Sequence, residues 1–133
     1  MQSTLNPYIH LNGKAREAIE FYHSVFGGEM LISTFGENHI PDAPTDGVMH
    51  SQITVDGKII LMVSDAMEAG KPDGFSISLS GTNADELRGY FEKLSAGGTV
   101  TKPLAKESWG DEFGMFTDKF GVAWMVNISA ASN

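Results

Sequence analysis

The sequence predicts an α+β fold built from two βαβββ modules, because the chain of 133 residues presents one pattern twice. Each half carries a helical segment with an aromatic residue, Phe21 or Phe91, followed at the same spacing by a glycine pair, Gly27-Gly28 or Gly97-Gly98. An apolar, β-prone run follows each glycine pair. The repeat favours two copies of one supersecondary unit over a single irregular domain.

The elements of the first module follow from local signals. Ala15, Ala18, Ile19, Tyr22 and Phe26 recur at helical spacing, and the glycine pair ends that helix because glycine adopts the left-handed conformation. An Asp-Gly dipeptide at 56–57 predicts a hairpin. The predicted elements are a strand at 5–12, a helix at 15–26, and strands at 29–35, 48–55 and 58–64.

The second module repeats this order after a polar linker at 65–74, which contains Gly70 and Pro72. Its helix is predicted from a cap at Thr82 or Asn83 through Ala96. The predicted strands lie at 75–80, 99–104, 113–117 and 122–128. We therefore expect one domain spanning 1–133, made of modules at 5–65 and 74–128, with a frayed tail from Ser129.

Composition excludes several classes of protein. The net charge of −8 argues against nucleic acid and anionic membranes as partners. The chain contains no cysteine, which excludes disulfides, a thiol nucleophile and thiolate metal sites. No apolar stretch approaches the roughly 20 residues of a membrane helix, and the start Met1–Thr4 shows no signal-peptide pattern. We expect a cytoplasmic protein.

Specific stretches of the chain resemble the vicinal oxygen chelate superfamily, which includes glyoxalase I, bleomycin-binding proteins, fosfomycin-resistance proteins and extradiol dioxygenases. Within it the chain is similar to the PhnB-like branch. The resemblance covers residues 6–127 and is most specific in its last part. The matching stretches are Pro7-Tyr8-Ile9, Ala18–Tyr22, Phe26–Glu29, Ser64–Met67, Trp109-Gly110, Phe113-Gly114, Thr117–Val122, Trp124 and Asn127.

This resemblance implies that the two modules curl their mixed sheets around a cup, as in glyoxalase and bleomycin-resistance proteins. In many members the cup holds a divalent metal through His, Gln or Glu of the first and last strands of each module. The PhnB-like branch further implies a homodimer. The superfamily spans isomerases, transferases, dioxygenases and sequestering proteins, so the resemblance implies no single activity.

The positions that correspond to the metal ligands are apolar in this chain. Carried over by spacing, they fall on Pro7, Met62, Ile77 and Met125. A shift of one residue brings in Ser76, Ser78, Trp124 or Val126, none of which is a strong ligand for a hard metal. We therefore predict no metal and no other cofactor.

Other side chains are candidates for a ligand pocket. His50 and Gln52 share one face of a strand, which lines either a wet cavity or the solvent side of the sheet. Trp109 lies in an acidic stretch that is typical of a lid or a pocket rim. Trp124 is predicted to be a core or interface residue. His10 is predicted to be a surface or interface residue. The predicted pocket residues are His50, Gln52, Met62, Ser64, Trp109, Met125 and Asn127.

These observations favour a dimeric protein that binds a small, partly apolar molecule without a metal. The alternative is a metal-dependent lyase, isomerase or thiol transferase of the glyoxalase or fosfomycin-resistance type, with its site displaced toward His50 and a carboxylate. A third interpretation is a structural or regulatory dimer without a ligand. The residues alone do not decide whether the protein is an enzyme.

Overall fold

The computed structural model describes residues 3–130, and the predicted fraying of the tail therefore lies outside the described residues from 131 onward. The chain divides into two compact units, Met1–Pro72 and Asp73–Asn133. In the described part of the tail, Ser129 N–H donates to the Gly81 carbonyl at 2.7 Å and Ala130 N–H donates to the Asp111 carboxylate at 3.0 Å.

The first unit is a four-stranded mixed sheet with one helix. Its elements are β1 (Tyr8–Leu11), α1 (Ala15–Phe26), β2 (Glu29–Thr34), β3 (Val48–Val55) and β4 (Lys58–Asp65). The strands lie in the order β1-β4-β3-β2, in which only β1 and β4 run parallel. A parallel pair needs a crossover connection, and α1 begins that connection.

The second unit has the same topology. Its elements are β5 (Ile77–Gly81), α2 (Ala84–Ser95), β6 (Thr99–Lys106), β7 (Glu112–Thr117) and β8 (Ala123–Ile128). The strands lie in the order β5-β8-β7-β6, with β5 parallel to β8. The predicted α+β class and the doubled βαβββ order are therefore confirmed.

Two predicted strands begin two or more residues later in the structure. The first begins at Tyr8 instead of Leu5, because Pro7 has no N–H to donate to the ladder and offers only its carbonyl, which accepts from Met62 N–H at 3.0 Å. The fifth begins at Ile77 instead of Phe75. Its partner strand starts only at Ala123, so Phe75 has no residue opposite it in the sheet.

Each helix covers one face of its own sheet. The α1 residues Ala15, Ala18, Ile19 and Tyr22 are fully buried, and α1 packs on β3 and β4. In the second unit, Phe91 of α2 meets Phe116 of β7 edge to face at 5.0 Å. The other face of each sheet is free of its own helix, so the alternation of side chains along each strand decides which residues lie there.

The second glycine of each repeated pair is required by close backbone packing. A Cβ on Gly28 would overlap the carbonyl oxygen of Thr54 in β3, and a Cβ on Gly98 would overlap the carbonyl oxygen of Thr117 in β7. Gly28 also has a φ of 81°, in the left-handed region. The repeated motif therefore marks the place where the chain leaving each helix touches the next hairpin.

The two helices satisfy their N-termini differently. In α2, the Asn83 side chain accepts a hydrogen bond from Glu86 N–H at 3.2 Å, as an N-cap residue does. In α1, Lys14 makes no such bond. Instead the Asp65 carboxylate at the end of β4 accepts from Ala15 N–H and from Val48 N–H, each at 3.0 Å.

Candidate functional site

The helix-free face of the first sheet carries a group of polar side chains from three strands. In β1, Ile9 and Leu11 are buried on the α1 side, so Tyr8 and His10 lie on the free face. Tyr8 is in register with Met62 and His10 with Ser64 of β4. The alternation of β3 places His50 and Gln52 on this face, because Ser51 and Ile53 are buried.

Five of these side chains form what we call the imidazole cluster: Tyr8, His10, His50, Gln52 and Ser64. The Tyr8 hydroxyl lies 3.0 Å from His50 Nδ1, and His50 Nε2 lies 2.8 Å from Gln52 Oε1. His10 Nδ1 lies 2.8 Å from Ser64 Oγ. The Tyr8 ring stacks on the His10 ring at 4.6 Å and meets the His50 ring edge to face at 5.6 Å.

The hydrogen-bond partners select one tautomer of neutral His50. Because the Gln52 oxygen only accepts, His50 Nε2 carries the hydrogen and donates to it. His50 Nδ1 then carries a lone pair and no hydrogen, so the Tyr8 hydroxyl donates to that nitrogen. Tyr8 therefore presents its remaining oxygen lone pairs as hydrogen-bond acceptors.

Apolar side chains border the cluster. Met62 stands in register with both Tyr8 and Gln52, so it lies between β1 and β3 on the same face. Leu31 of β2 is in register with Gln52 and is 51% exposed. The face thus combines hydrogen-bonding groups with an uncharged apolar border, which is the composition of small-molecule sites.

The structure corrects the assignment of two of the four metal-ligand positions. Ile77 is in register with Trp124, which is buried and stacks on Phe116, so Ile77 lies on the α2 side of its sheet. Pro7 precedes β1 and is one residue out of phase with Tyr8. The residues actually in register with Met62 and Met125 are Tyr8 and Ser78.

We tested whether the residues of the free face fit the divalent metal that the superfamily resemblance implies. The cluster offers two imidazoles, His10 and His50, and no carboxylate. Both nitrogens of His50 already have hydrogen-bond partners. Among residues 3–130, no three His, Asp or Glu side chains gather closely enough to hold a metal ion. The donor set does not fit a hard divalent metal.

In the second unit, Met125 and Asn127 share the helix-free face of β8, because Trp124, Val126 and Ile128 are buried on the other. The Asn127 amide donates to the Asp111 carboxylate at 3.0 Å. Asn127 therefore ties the segment between β6 and β7 to β8 through its side chain.

Trp109 lies in the turn between β6 and β7 and is 61% exposed, with its ring 6.2 Å from that of Phe113. Trp124 is buried, as predicted for a core residue. Its indole N–H donates to the Asp118 carboxylate at 2.8 Å. Asp118 also accepts from the N–H groups of Phe120 and Val122 at 2.8 and 3.1 Å, which closes the turn between β7 and β8.

Sequence reasoning placed His50, Gln52, Met62 and Ser64 among the candidates, and the structure brings these four onto one face. It missed Tyr8 and His10. The sequence pattern does predict that these two residues share a face. Ile9 and Leu11 are apolar and two residues apart, so Tyr8 and His10 must lie on the opposite face of the strand.

We expect Asn127→Leu to raise the pKa of Asp111. Hydrogen bonds from the Asn127 amide and then from Ala130 N–H hold this pKa below the ordinary aspartate value. A depressed carboxyl pKa contributes stability that is complete above the unfolded-state pKa and is lost as pH falls through the folded value. A carboxyl-carbon NMR titration measures the change.

In the Asn127→Leu variant the Ala130 hydrogen bond remains, so the Asp111 pKa is expected to move toward the ordinary value without passing it. An unchanged pKa would show that the Asn127 amide does not stabilise the ionised carboxylate. Asn38→Leu, which removes an exposed amide of the first unit, serves as the control.

No helix within residues 3–130 has the length and hydropathy needed to cross a membrane.

Known proteins match this chain over almost its whole length. A family model described as 3-demethylubiquinone-9 3-methyltransferase matches residues 3–127. Protein YjdN of Escherichia coli K12 is 32% identical over 139 residues, covering 93% of this chain and 94% of that protein.

Solved structures share the fold over nearly the whole chain. Protein PA1353 from Pseudomonas aeruginosa is 38% identical with a TM-score of 0.83, covering 96% of this chain and 98% of that one. A putative 3-demethylubiquinone-9 3-methyltransferase, PhnB protein, from Bacillus cereus is 27% identical with a TM-score of 0.78, covering 96% and 100%.

Fosfomycin resistance protein FosX from Mesorhizobium loti is 10% identical with a TM-score of 0.61, covering 98% of this chain and 94% of that one, and shares the fold alone. The chain belongs to the family described as 3-demethylubiquinone-9 3-methyltransferase, and it shares its fold with glyoxalase and bleomycin-resistance proteins.

Proposed function

We propose that this PhnB-like protein binds a small, partly apolar molecule on the helix-free face of its first sheet, and that it does so without a divalent metal. The observation that supports the proposal is the imidazole cluster. Its polar side chains come from β1, β3 and β4 and lie beside Met62 on one face of the sheet. Membership of the family supports a shared fold. It does not support the reaction named in the family description, because activity depends on the residues of the site.

The chemistry of the cluster supports an uncharged ligand. Tyr8 and His10 present stacked rings, the Tyr8 oxygen accepts hydrogen bonds, and Met62 and Leu31 supply apolar contact. A planar heteroaromatic or amide compound with an N–H group would supply a flat ring and a hydrogen-bond donor to these groups. In the second unit, Trp109, Met125 and Asn127 remain proposed ligand contacts.

A screen of indole, benzamide and pyridone fragments in the presence of EDTA tests the proposal. We expect chemical-shift changes in the amides of Tyr8, His50 and Ser64, and loss of binding in Tyr8→Phe and His50→Leu. His39→Leu, which removes an imidazole from the loop between β2 and β3, is the control and should bind normally.

The same screen distinguishes metal-independent binding from the alternative of a metal-dependent enzyme. Fragment binding that needs added Ni²⁺, Mn²⁺ or Zn²⁺ and disappears with EDTA would contradict a metal-independent site. So would EDTA-sensitive turnover of fosfomycin or of the hemithioacetal of methylglyoxal and glutathione. A complete absence of fragment binding would favour the structural or regulatory interpretation.

We also propose that the protein is a homodimer, which the resemblance to PhnB-like proteins supports. Met30, an exposed apolar side chain on the outer strand β2, is compatible with a covered surface. Sedimentation velocity is expected to give twice the chain mass. A monomer at concentrations where the fragments bind would refute the dimer and leave the binding proposal intact.

A further inference from the structure

The first unit contains a cavity of about 450 Å³ that is separate from the imidazole cluster. It lies at the N-terminal end of α1, between Arg16, the loop between β2 and β3, and the chain that follows β4. Asp65 at its edge alternates with Ser64, so it lies on the α1 side of the sheet and Ser64 on the other. The volume is within the range of about 300–1,000 Å³ that is typical of small-molecule sites.

Hydrogen bonds hold the walls of this cavity in place. The Asp65 carboxylate joins Ala15 at the start of α1 to Val48 at the start of β3. The Asn12 amide donates to the Met67 carbonyl at 2.9 Å, which ties the segment after β4 to the end of β1. The loop is closed by the Phe35 N–H bond to the Gly47 carbonyl at 3.0 Å. The cavity is therefore formed before any ligand arrives.

The lining of the cavity combines an apolar interior with charged groups. Phe35, Ala43, Pro44, Ala66 and Met67 supply hydrocarbon surface from the loop and from the segment after β4. An aromatic ring, a proline and a methionine that line one cavity suit a flat or branched apolar group.

The charges at the cavity favour a cation. Three carboxylates, of Glu17, Asp46 and Asp65, oppose one guanidinium, of Arg16. Glu17 is 3.9 Å from Lys14 in an exposed pair, which contributes little and leaves this carboxylate available. Arg16 makes one long hydrogen bond to the Asp46 carbonyl at 3.4 Å.

The repeat supplies an internal comparison. The second unit has a cavity of about 470 Å³ at the corresponding place, beside the start of α2 and the end of β8. Its charged lining is Arg88, Lys106 and Glu112, an excess of positive charge, and Arg88 is paired with Glu112 at 2.6 Å. Ile128 and Ser129 line it where the first unit has Asp65 and Ala66. The acidic, apolar combination is thus a property of the first unit and not of the topology.

We propose that the cavity at the start of α1 is a second binding site, and that its ligand is a small organic cation: an amine that carries an aromatic or branched apolar group. The apolar group lies against Phe35, Pro44 and Met67. The ammonium group lies at the rim, toward Glu17 and Asp46. This site is independent of the proposed ligand of the imidazole cluster.

A titration of the ¹⁵N-labelled full chain with 2-phenylethylamine tests the proposal, with 2-phenylethanol and 3-phenylpropanoate as neutral and anionic analogues. We expect saturable binding of the amine with a Kd on the order of 1 mM, as suits a fragment of this size. The shifts should map to the amides of Gly47, Ala66 and Met67. The alcohol should bind about tenfold more weakly and the carboxylate more weakly still.

Glu17→Gln and Asp46→Asn should each weaken amine binding by about two- to fivefold and leave alcohol binding unchanged. Glu20→Gln removes an exposed carboxylate of the same helix that does not line the cavity, and should leave both affinities unchanged. Equal affinity for amine and alcohol would overturn the proposal. Shifts that map elsewhere, or no saturable binding of any probe, would overturn it as well.

Discussion

Replacing Asp118 by alanine is expected to lower the free energy of unfolding by about 3–5 kcal/mol. Asp118 is only 3% exposed, and its carboxylate accepts from Phe120 N–H, Val122 N–H and the Trp124 indole. Alanine leaves these donors without the carboxylate. Urea denaturation followed by circular dichroism and tryptophan fluorescence measures the loss.

Two further variants separate the contributions of Asp118. Asparagine keeps one oxygen for the backbone N–H groups but turns an amide N–H₂ toward the Trp124 indole, so Asp118→Asn should still destabilise the fold. Adding Trp124→Phe removes the indole N–H that opposes this amide. The double variant should therefore lose less stability than the two single variants lose together. Asp73→Ala, at an exposed position, is the control, and a loss there equal to that of Asp118→Ala would contradict the argument.

Replacing Gly28 by alanine is the second large effect, with an expected loss of about 2–5 kcal/mol. The added methyl group would meet the Thr54 carbonyl, and the residue would sit at a φ of 81°. Backbone atoms of the hairpin have no rotamer by which to move away. Thermal and urea denaturation report the change.

Three other glycines serve as matched controls. Gly27 has a φ of 71° and open space around it, so Gly27→Ala isolates the cost of the left-handed conformation, about 1–2 kcal/mol. Gly98→Ala isolates the steric overlap with Thr117. Gly89 lies in α2 with open space around it, and Gly89→Ala should stabilise by about 0.5–1 kcal/mol. If Gly28→Ala cost no more than Gly27→Ala, the close approach would not be limiting.

The order of elements could be predicted because each signal is local. The helical spacing of Ala15, Ala18, Ile19 and Tyr22 defines α1, whose bounds agree with the prediction. The hairpin at Asp56-Gly57 adopts the positive φ values, 51° and 79°, that its sequence predicts. The start of β5 was wrong by two residues because it depends on where its partner strand begins, which local residues do not encode.

The candidate site was harder to predict because it depends on register across strands. Counting along the chain selected Pro7, whereas the pairing of β1 with β4 places Tyr8 opposite Met62. His10, predicted to be a surface or interface residue, is exposed and lies opposite Ser64. The contacts of Tyr8 with His50 and of His10 with Ser64 join residues 42 and 54 positions apart, and only the sheet brings them together.

The most specific part of the family resemblance has a structural explanation. Its aspartate, glycine and tryptophan at 118, 121 and 124 belong to one closed turn, with Gly121 at a φ of 87°. The structure of this turn therefore accounts for the presence of these three residues. The side chains of the proposed binding site lie instead on β1, β3 and β4.

The unequal caps of the two helices bear on the order in which the chain folds. Asn83 lies next to the helix it caps, so α2 has its N-terminal hydrogen bond available while the rest of its unit is still unfolded. Ala15 must wait for Asp65, which lies 50 residues away and reaches it only after the β3–β4 hairpin has formed and docked. Forming α1 thus carries the entropic cost of closing a long loop. The two copies of one topology are consequently expected to fold by different routes, the second unit from its helix and the first from its hairpin.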